Sequence, residues 1–464
     1  MIYYGALTPH PPMMVPGIGK EEDRAVIGET IAAMETVARE LADDPPETII
    51  VFTPHGTVYS DAIIIYADPE LTGDLRQFGL EQSWKWQNDL QLAERITERA
   101  NQAGLPVYLL EQRNAAPRRP QTGLDHGVLV PLSFLQVNGA EQVRLIVIPL
   151  SYLPLEELYH FGAIIEETVT ELGRKVAVIA SGDLSHCLTQ NAPATYDSRG
   201  AEFDQRFIQL LKDQAIMEFF QFDPLLLEKA AECGFRSLIM LLGTLDRQGF
   251  TVRVLSYQGP FGVGYGVAVF HPGAAKESLV PKLYDQRANA ITKRRVAESP
   301  LVSYARLVVE AVTKHQTLPE PAELEEFVGQ RAGTFVSIKQ HGQLRGCIGT
   351  IEPTQRTLAE EIKQNAIAAA TSDHRFEPIA EHELGDLVYS VDILKPAEPI
   401  EGVDQLDPFR YGVIVTSGIR RGLLLPNIEG VETVAEQVVI AKRKAGISPD
   451  DPVGLERFEV IRYH

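Results

Sequence analysis

Cysteines, long apolar runs and basic residues are all scarce in this chain of 464 residues. Its three cysteines are too few for a disulfide framework and are typical of a reducing compartment. The apolar runs stay short of the ~20 residues that span a bilayer. The first residues lack the basic region and apolar stretch of a signal peptide. We therefore expect a cytoplasmic protein that has no membrane partner.

The charge balance argues against a nucleic-acid partner. Forty-three Lys and Arg residues face 63 Asp and Glu residues, which gives a formal net charge of −20. A surface of that sign repels phosphate backbones and anionic membranes. The length exceeds what one ordinary core fills, so we expect two or three domains.

The first part of the chain alternates short runs rich in Val and Ile with longer amphipathic segments. Such alternation predicts an α/β domain, in which a mostly parallel sheet carries helices on both faces. The predicted strands are 48–53, 62–66, 105–110, 144–149, 175–181, 251–256 and 262–270. The predicted helices are 25–41, 84–103 and 155–172, and residues 203–245 are predicted to be entirely helical.

The domain boundaries follow from a change of pattern. We expect a first domain at 1–271, an interdomain connection of mixed charge and little periodicity at 272–299, and a second domain at 300–464. The second domain mixes helical and strand-like patterns, which predicts a smaller α+β fold.

Four histidines of the first domain stand just after a strand or at a turn marked by Gly or Pro: His10 (TPHPP), His55 (TPHG), His126 (LDHG) and His186 (SGDLSH). Loops at the carboxyl ends of parallel strands converge on a ligand crevice. His10 and His55 follow strands most directly, and the neighbouring prolines restrict their backbones. Neutral imidazole suits divalent iron or zinc, so we interpret this pair as metal ligands.

Two histidines under-coordinate a divalent ion, so a third protein ligand is needed. The segment ECGFRSLIMLLG offers Glu232 and Cys233 at the start of an apolar helix. A carboxylate would complete a two-histidine, one-carboxylate site typical of Fe(II), whereas a thiolate would favour zinc or copper. Alternatively, Glu232 caps the helix and Cys233 packs. The sequence leaves this choice open.

The motifs TPHPP, TPHG, LDHGVLVPL and SGDLSH, in that order, make residues 1 to about 270 resemble the class III extradiol ring-cleavage dioxygenases of the LigB type and the related Memo proteins. The resemblance implies that His10 and His55 bind Fe(II). It further implies that His186 exchanges protons with a bound substrate and that His126 lines the substrate pocket, where a small aromatic ligand would bind.

The segment around Cys233 departs from the dioxygenases, which use glutamate as third ligand. It resembles the Memo pattern, in which a Cys-Gly pair precedes the helix, and so places Cys233 at the ligand position with Glu232 beside it. The alternative is therefore a metalloprotein that is not a dioxygenase. It would act as a binding or scaffold protein for a peptide or small ligand, or as the partner of a radical-SAM enzyme.

The second domain contains one cysteine motif, GQLRGCIGTIEP, and one charged motif, SDHRFEPI. Arg345 is expected to lower the pKa of the Cys347 thiol, which would make it a nucleophile. Asp373 and Arg375 would supply an anion clamp beside it. The alternative is a buried, inert thiol.

These motifs, with ELGDLVYSVDIL and RRGLLLPNIEG, make residues 300–464 resemble the AMMECR domain. The resemblance implies a grooved surface lined by Arg345, Cys347 and Arg375. Fusion of a LigB- or Memo-like domain to an AMMECR domain resembles a pairing associated with a radical-SAM protein, which implies that partner.

Overall fold

The computed structural model describes residues 1–111, 123–135, 143–321, 329–340, 343–428 and 431–464. The chain divides into two compact units, residues 1–287 and 288–464. Within the described ranges, no helix has the length and apolar character needed to cross a bilayer.

The first unit is an α/β fold, as predicted. Its strands are β1 (Ile2–Thr8), β2 (Thr48–Thr53), β3 (Ile63–Tyr66), β4 (Glu70–Leu75), β5 (Leu80–Gln87), β6 (Val107–Leu110), β7 (Arg144–Pro149), β8 (Val176–Ser181), β9 (Gln248–Gln258) and β10 (Tyr265–Ala275). Its helices are α1 (Glu21–Val26), α2 (Gly28–Asp43), α3 (Leu90–Gln102), α4 (His126–Phe134), α5 (Leu155–Glu171), α6 (Arg199–Asp213), α7 (Ile216–Phe219), α8 (Pro224–Ala230) and α9 (Phe235–Gly243), followed by α10 (Val280–Ala297).

The main sheet has six strands in the order β7-β2-β8-β1-β10-β9. The strands β7, β2, β8 and β1 are parallel, and β10 and β9 close the sheet in antiparallel pairing. Successive side chains of β2 enter different cores: Ile50 and Phe52 join one apolar cluster, and Ile49 and Val51 join the other. Both faces are thus covered, as a parallel sheet requires.

The structure corrects three of the sequence predictions in this unit. Residues 84–87 belong to β5 rather than to a helix, because Trp84 and Trp86 alternate with polar residues and α3 begins only after its N-cap, Asp89. The strands β3 and β6 pair in a separate parallel sheet of two strands. Residues 203–245 are four helices rather than one helical stretch. The left-handed φ angles of Gln214 and Ala231, at the ends of α6 and α8, interrupt the helical backbone.

The second unit is the smaller α+β fold that the sequence predicted. Its strands are β11 (Thr334–Gln340), β12 (Gln343–Gly349), β13 (Leu387–Leu394), β14 (Glu398–Ile400), β15 (Gly412–Ser417), β16 (Arg420–Leu424), β17 (Gly454–Phe458) and β18 (Val460–Tyr463). They form two antiparallel sheets, β12-β11-β13-β18 and β14-β17-β15-β16. Its helices are α11 (Pro300–Thr313), α12 (Leu358–Thr371) and α13 (Val434–Lys444).

The predicted connection at 272–299 contains the last residues of β10 and the whole of α10. The division between the two compact units falls within this helix. That this segment is the interdomain connection stays a prediction.

Candidate functional site

Three histidines meet at the carboxyl edge of the main sheet. His10 follows β1, His55 follows β2, and His126 is the first residue of α4. The Nε2 atoms of His10 and His55 lie 2.8 Å apart. One ring nitrogen from each of the three imidazoles lies within 4.8 Å of the other two. This cluster is called the histidine cluster below.

The histidine cluster fits a single metal ion. Two Nε2 atoms at 2.8 Å must share either a proton or a cation, and bonds of ~2.0–2.1 Å from each nitrogen would reach one ion. Burial and the neighbouring imidazoles lower the pKa of His10 far below its usual range, and they lower the pKa of His126 to about 3. Both rings are therefore neutral at pH 7, which is the form that binds metals. Such a donor set suits divalent iron, zinc or copper.

Hydrogen bonds from β8 and the following loop fix the orientation of His10, which is only 2% exposed. Its Nδ1 atom lies 3.0 Å from Oγ of Ser181, the last residue of β8. Its backbone N–H donates to Oδ1 of Asp183 at 2.9 Å. With Nδ1 engaged, the opposite nitrogen, Nε2, faces the other two imidazoles. Partners of this kind orient metal-binding histidines in proteins.

A second set of contacts positions His126 against His55. Thr53 Oγ1, at the end of β2, donates to Oδ1 of Asp125 at 2.8 Å. A Cβ atom at Gly127 would lie 2.6 Å from that hydroxyl oxygen, so only glycine fits there. The rings of His55 and His126 stack, with their centroids 4.3 Å apart.

The loop before α9 separates the two candidates for a third ligand. Cys233 Sγ lies 3.8 Å from Nε2 of His10 and accepts the N–H of Asp183 at 3.2 Å. The Glu232 carboxylate instead accepts the N–H of Phe235 at 2.6 Å, in the first turn of α9. Burial raises the pKa of Glu232 to about 7. The thiol thus lies beside the histidine cluster, whereas the carboxylate caps a helix.

His186 lies close enough to interact electrostatically with two residues at the cluster. Burial lowers the pKa of His10, an effect to which His186 adds, and burial raises the pKa of Asp183 to about 6, a rise that His186 opposes. Its Nδ1 atom is buried and has no hydrogen-bond partner among the described residues. A buried, unsatisfied ring nitrogen is costly unless a ligand or a water molecule engages it.

Sequence reasoning missed several residues that build this site. Ser181 and Asp183 lie inside SGDLSH and Asp125 inside LDHG, but their motifs drew attention to the histidines alone. Phe78, whose ring stands edge-on to His126 with centroids 5.4 Å apart, was missed entirely. It ends a single-turn 3-10 helix (Arg76–Phe78) between β4 and β5, near the segment predicted to be helical.

In the second unit the structure places three of the four predicted residues together. Asp373 Oδ2 accepts the N–H of Cys347 at 2.9 Å, and Arg375 donates both to Asp373 and to the carbonyl of Cys347. Arg345 instead forms a two-pronged ion pair with Glu383.

The expected effect of Arg345 on the Cys347 thiol is not what the structure shows. Burial raises the pKa of Cys347, and the cations that oppose this rise are Arg375 and Lys444. The side chain of Arg345 is engaged by Glu383, which accounts for the difference.

The fold and the histidine cluster together define an α/β domain with a candidate metal centre. Residues 4–268 match the family of the catalytic LigB subunit of aromatic ring-opening dioxygenases, and the chain belongs to that family. Residues 302–464 match the AMMECR1 family.

Some relatives match nearly the whole chain, and others match about a third of it. Protein CA_C1420 of Clostridium acetobutylicum is 38% identical over 464 residues, which is 98% of each chain. A protein of Thermotoga maritima is 54% identical over 172 residues, covering 36% of this chain and 99% of its own. The crystal structure of the uncharacterized protein JW3007 from Escherichia coli K12 matches 58% of this chain and 99% of its own, with 16% identity and a TM-score of 0.40.

Proposed function

We propose that the first domain is a mononuclear metal-dependent oxidoreductase that opens the ring of a small aromatic diol. The Fe(II) ion would be held by His10, His55 and His126. The observation that supports this most strongly is the convergence of the three imidazole rings within 4.8 Å. Membership of the LigB family supports the reaction type.

The protein residues would bind the diol and move its proton. A bound metal ion would supply Lewis acidity and redox capacity. His186 has an Nδ1 atom without a partner, and a neutral imidazole there can accept the proton of a substrate hydroxyl. The Phe78 ring beside His126 offers an apolar surface for an aromatic ligand.

The position of Cys233 favours a second candidate function. Its Sγ atom lies 3.8 Å from His10 Nε2, while Glu232 caps α9. A thiolate donor would favour zinc or copper over an oxygen-activating iron site. The protein would then bind a peptide or small ligand as a scaffold, or act as the partner of a radical-SAM enzyme, without cleaving aromatic rings.

Oxygen consumption separates these two candidates. Protein purified without oxygen would be loaded with Fe(II) or with Zn(II), mixed with catechol or protocatechuate, and followed with an oxygen electrode. We expect oxygen uptake in the Fe(II)-loaded sample and none in the Zn(II)-loaded sample. The uptake should be accompanied by a yellow ring-opened product. The His186→Gln variant should be slower by roughly 10²-fold or more, since a positioned acid–base group contributes on that scale.

The matched control is His160→Gln, because His160 lies on α5 and its Nδ1 atom is hydrogen-bonded to Tyr284. That variant should keep the wild-type rate. If iron-loaded wild-type protein consumes no oxygen with either diol, the dioxygenase proposal is wrong and the second candidate is favoured.

A further inference from the structure

One face of the sheet β12-β11-β13-β18 carries a polar patch beside a second apolar cluster, which contains Leu394 and against which Phe335 packs. Val336 and Ile338 of β11 enter the core, so Ser337 between them points to the opposite face. Ser337 pairs across the sheet with Cys347 on one side and with Ser390 on the other. These three small polar residues form one row of this face.

The next row of the same face contains a fixed ion pair. Asp392 lies two residues beyond Ser390 and pairs with Arg462 of β18. The Arg462 guanidinium donates Nε and Nη2 to the two carboxylate oxygens, at 2.7 and 2.9 Å. Its remaining nitrogen, Nη1, has no hydrogen-bond partner among the described residues. Asp392 thus orients the arginine and leaves one donor edge available.

Arg375 is held in the same manner on the other side of Cys347. Its Nε and Nη2 atoms donate to the Asp373 carboxylate at 2.9 and 2.6 Å, and Nη2 also donates to the carbonyl of Cys347. Within the described ranges its Nη1 atom has no partner. Because Asp373 also accepts the N–H of Cys347, this clamp is attached directly to β12.

The end of α13 brings a third cation to this face. Arg421 of β16 donates to Glu352, just beyond β12, at 2.8 Å. The adjacent Gly422 packs so closely on α13 that a side chain there would overlap the carbonyl oxygen of Ala441. These contacts carry Lys444, the last residue of α13, toward Cys347. Partial burial lowers the pKa of Lys444, and the nearby charges of Cys347 and Arg375 also act on it.

Three cations lie near Cys347, and two of them are paired with carboxylates. Each of the two carboxylates, Asp373 and Asp392, is fully engaged by one arginine. Lys444 has no carboxylate partner in the part of the chain that the structure describes. The result is one cation without a carboxylate partner and two guanidinium edges without a hydrogen-bond partner among the described residues, around a half-buried thiol.

We propose that this face binds a small ligand carrying a phosphate or carboxylate group, held by Arg375, Arg462 and Lys444 with the Cys347 thiol against it. Two arginines preoriented by aspartates, together with one free lysine, match the geometry by which proteins bind such anions. The proposal does not depend on the metal centre of the first domain.

Protection of Cys347 from alkylation tests the proposal. The full chain would be treated with iodoacetamide at constant ionic strength and increasing inorganic phosphate or acetate, and modification of each cysteine would be followed by peptide mass spectrometry. We expect at least one of the two anions to slow alkylation of Cys347 in a saturable manner. The better protector identifies the group that the site prefers, and Cys233 in the same sample is the internal reference.

Variants at the end of α13 distinguish anion binding at a specific site from a general effect of positive surface charge. Lys444→Ala should raise the half-protecting anion concentration at least tenfold, and Lys444→Arg should restore most of the protection. Arg443→Ala removes the same charge from the neighbouring exposed residue and should behave as the wild type. The proposal is overturned if neither anion protects saturably, or if Arg443→Ala weakens protection as much as Lys444→Ala.

Discussion

Ser181 Oγ lies 3.0 Å from Nδ1 of His10, so the last residue of β8 orients the ring that follows the neighbouring strand β1. This contact leaves Nε2 of His10 directed at His55. The metal-binding geometry therefore depends on a hydroxyl group that would not itself contact the ion.

Removing that hydroxyl should weaken metal binding without removing a ligand. In Ser181→Ala, the His10 ring loses the partner that fixes its orientation, and we expect metal affinity to fall roughly 10- to 100-fold. The measurement is a competition titration against a chelator of known affinity. Ser237→Ala is the matched control, because Ser237 is equally buried but its Oγ has no hydrogen-bond partner among the described residues. Equal affinity in the two variants would contradict the role given to Ser181.

A methyl group between two loops should also disturb the site. A Cβ atom at Gly182 would overlap the Cα atom of Gly234, so Gly182→Ala must separate the loop after β8 from the loop that carries Cys233. We expect a loss of roughly 1–3 kcal/mol in the free energy of unfolding, as for other overpacking substitutions. Metal affinity should fall with it. Gly28→Ala is the control, because nothing lies within 4 Å of a Cβ placed there. Wild-type stability in Gly182→Ala would show that the two loops are not in close contact.

Glu232→Gln should leave the metal content unchanged. The Glu232 carboxylate accepts the N–H of Phe235, and the amide oxygen of glutamine can accept the same hydrogen bond. Metal analysis of the purified variant checks this expectation. Loss of the ion in Glu232→Gln, with retention in Cys233→Ala, would instead make Glu232 a ligand.

Asp204 should make the stability of the first unit depend on pH. Burial raises its pKa from 3.8 to about 6, although Tyr257 and the Ser185 N–H both donate to it. Between pH 3.8 and about pH 6, the folded protein retains on Asp204 a proton that the unfolded chain has lost. The stability contributed by this group therefore falls as the pH rises through that range.

The variant Asp204→Asn should lack that dependence. We compare the free energy of unfolding of the wild type with that of Asp204→Asn. The difference, wild type minus variant, should fall by roughly 1–3 kcal/mol from pH 4 to pH 7, as a pKa shift of this size requires. Denaturant unfolding at several pH values measures the difference. The exposed Asp61→Asn is the control, and parallel curves for wild type and Asp204→Asn would contradict the expectation.

The sequence predicted the fold classes and the meeting of His10 with His55, because these depend on local patterns. Runs of Val and Ile predict buried parallel strands, and residues after such strands lie at one edge of the sheet. Residues 84–87 of β5 were misread because they were joined to the amphipathic pattern of the following helix, although the spacing of Trp84 and Trp86 is that of a strand. Phe78 was missed as well.

The rest of the site depends on contacts between residues that are distant in sequence. His126 joins His10 and His55 only because Thr53 and Asp125 tie α4 to β2. Lys444 lies near enough to Cys347, almost a hundred residues away in the chain, for their charges to interact, because α13 packs on β16. No spacing rule within the sequence predicts such pairings.

Metal analysis of protein purified without oxygen tests the central claim most directly. The account predicts about one ion per chain in the wild type, and a loss of most of that ion in each of His10→Ala, His55→Ala and His126→Ala, with His160→Ala unaffected. It is contradicted if the wild type binds no stoichiometric metal, or if any one of the three cluster variants retains the ion with wild-type affinity.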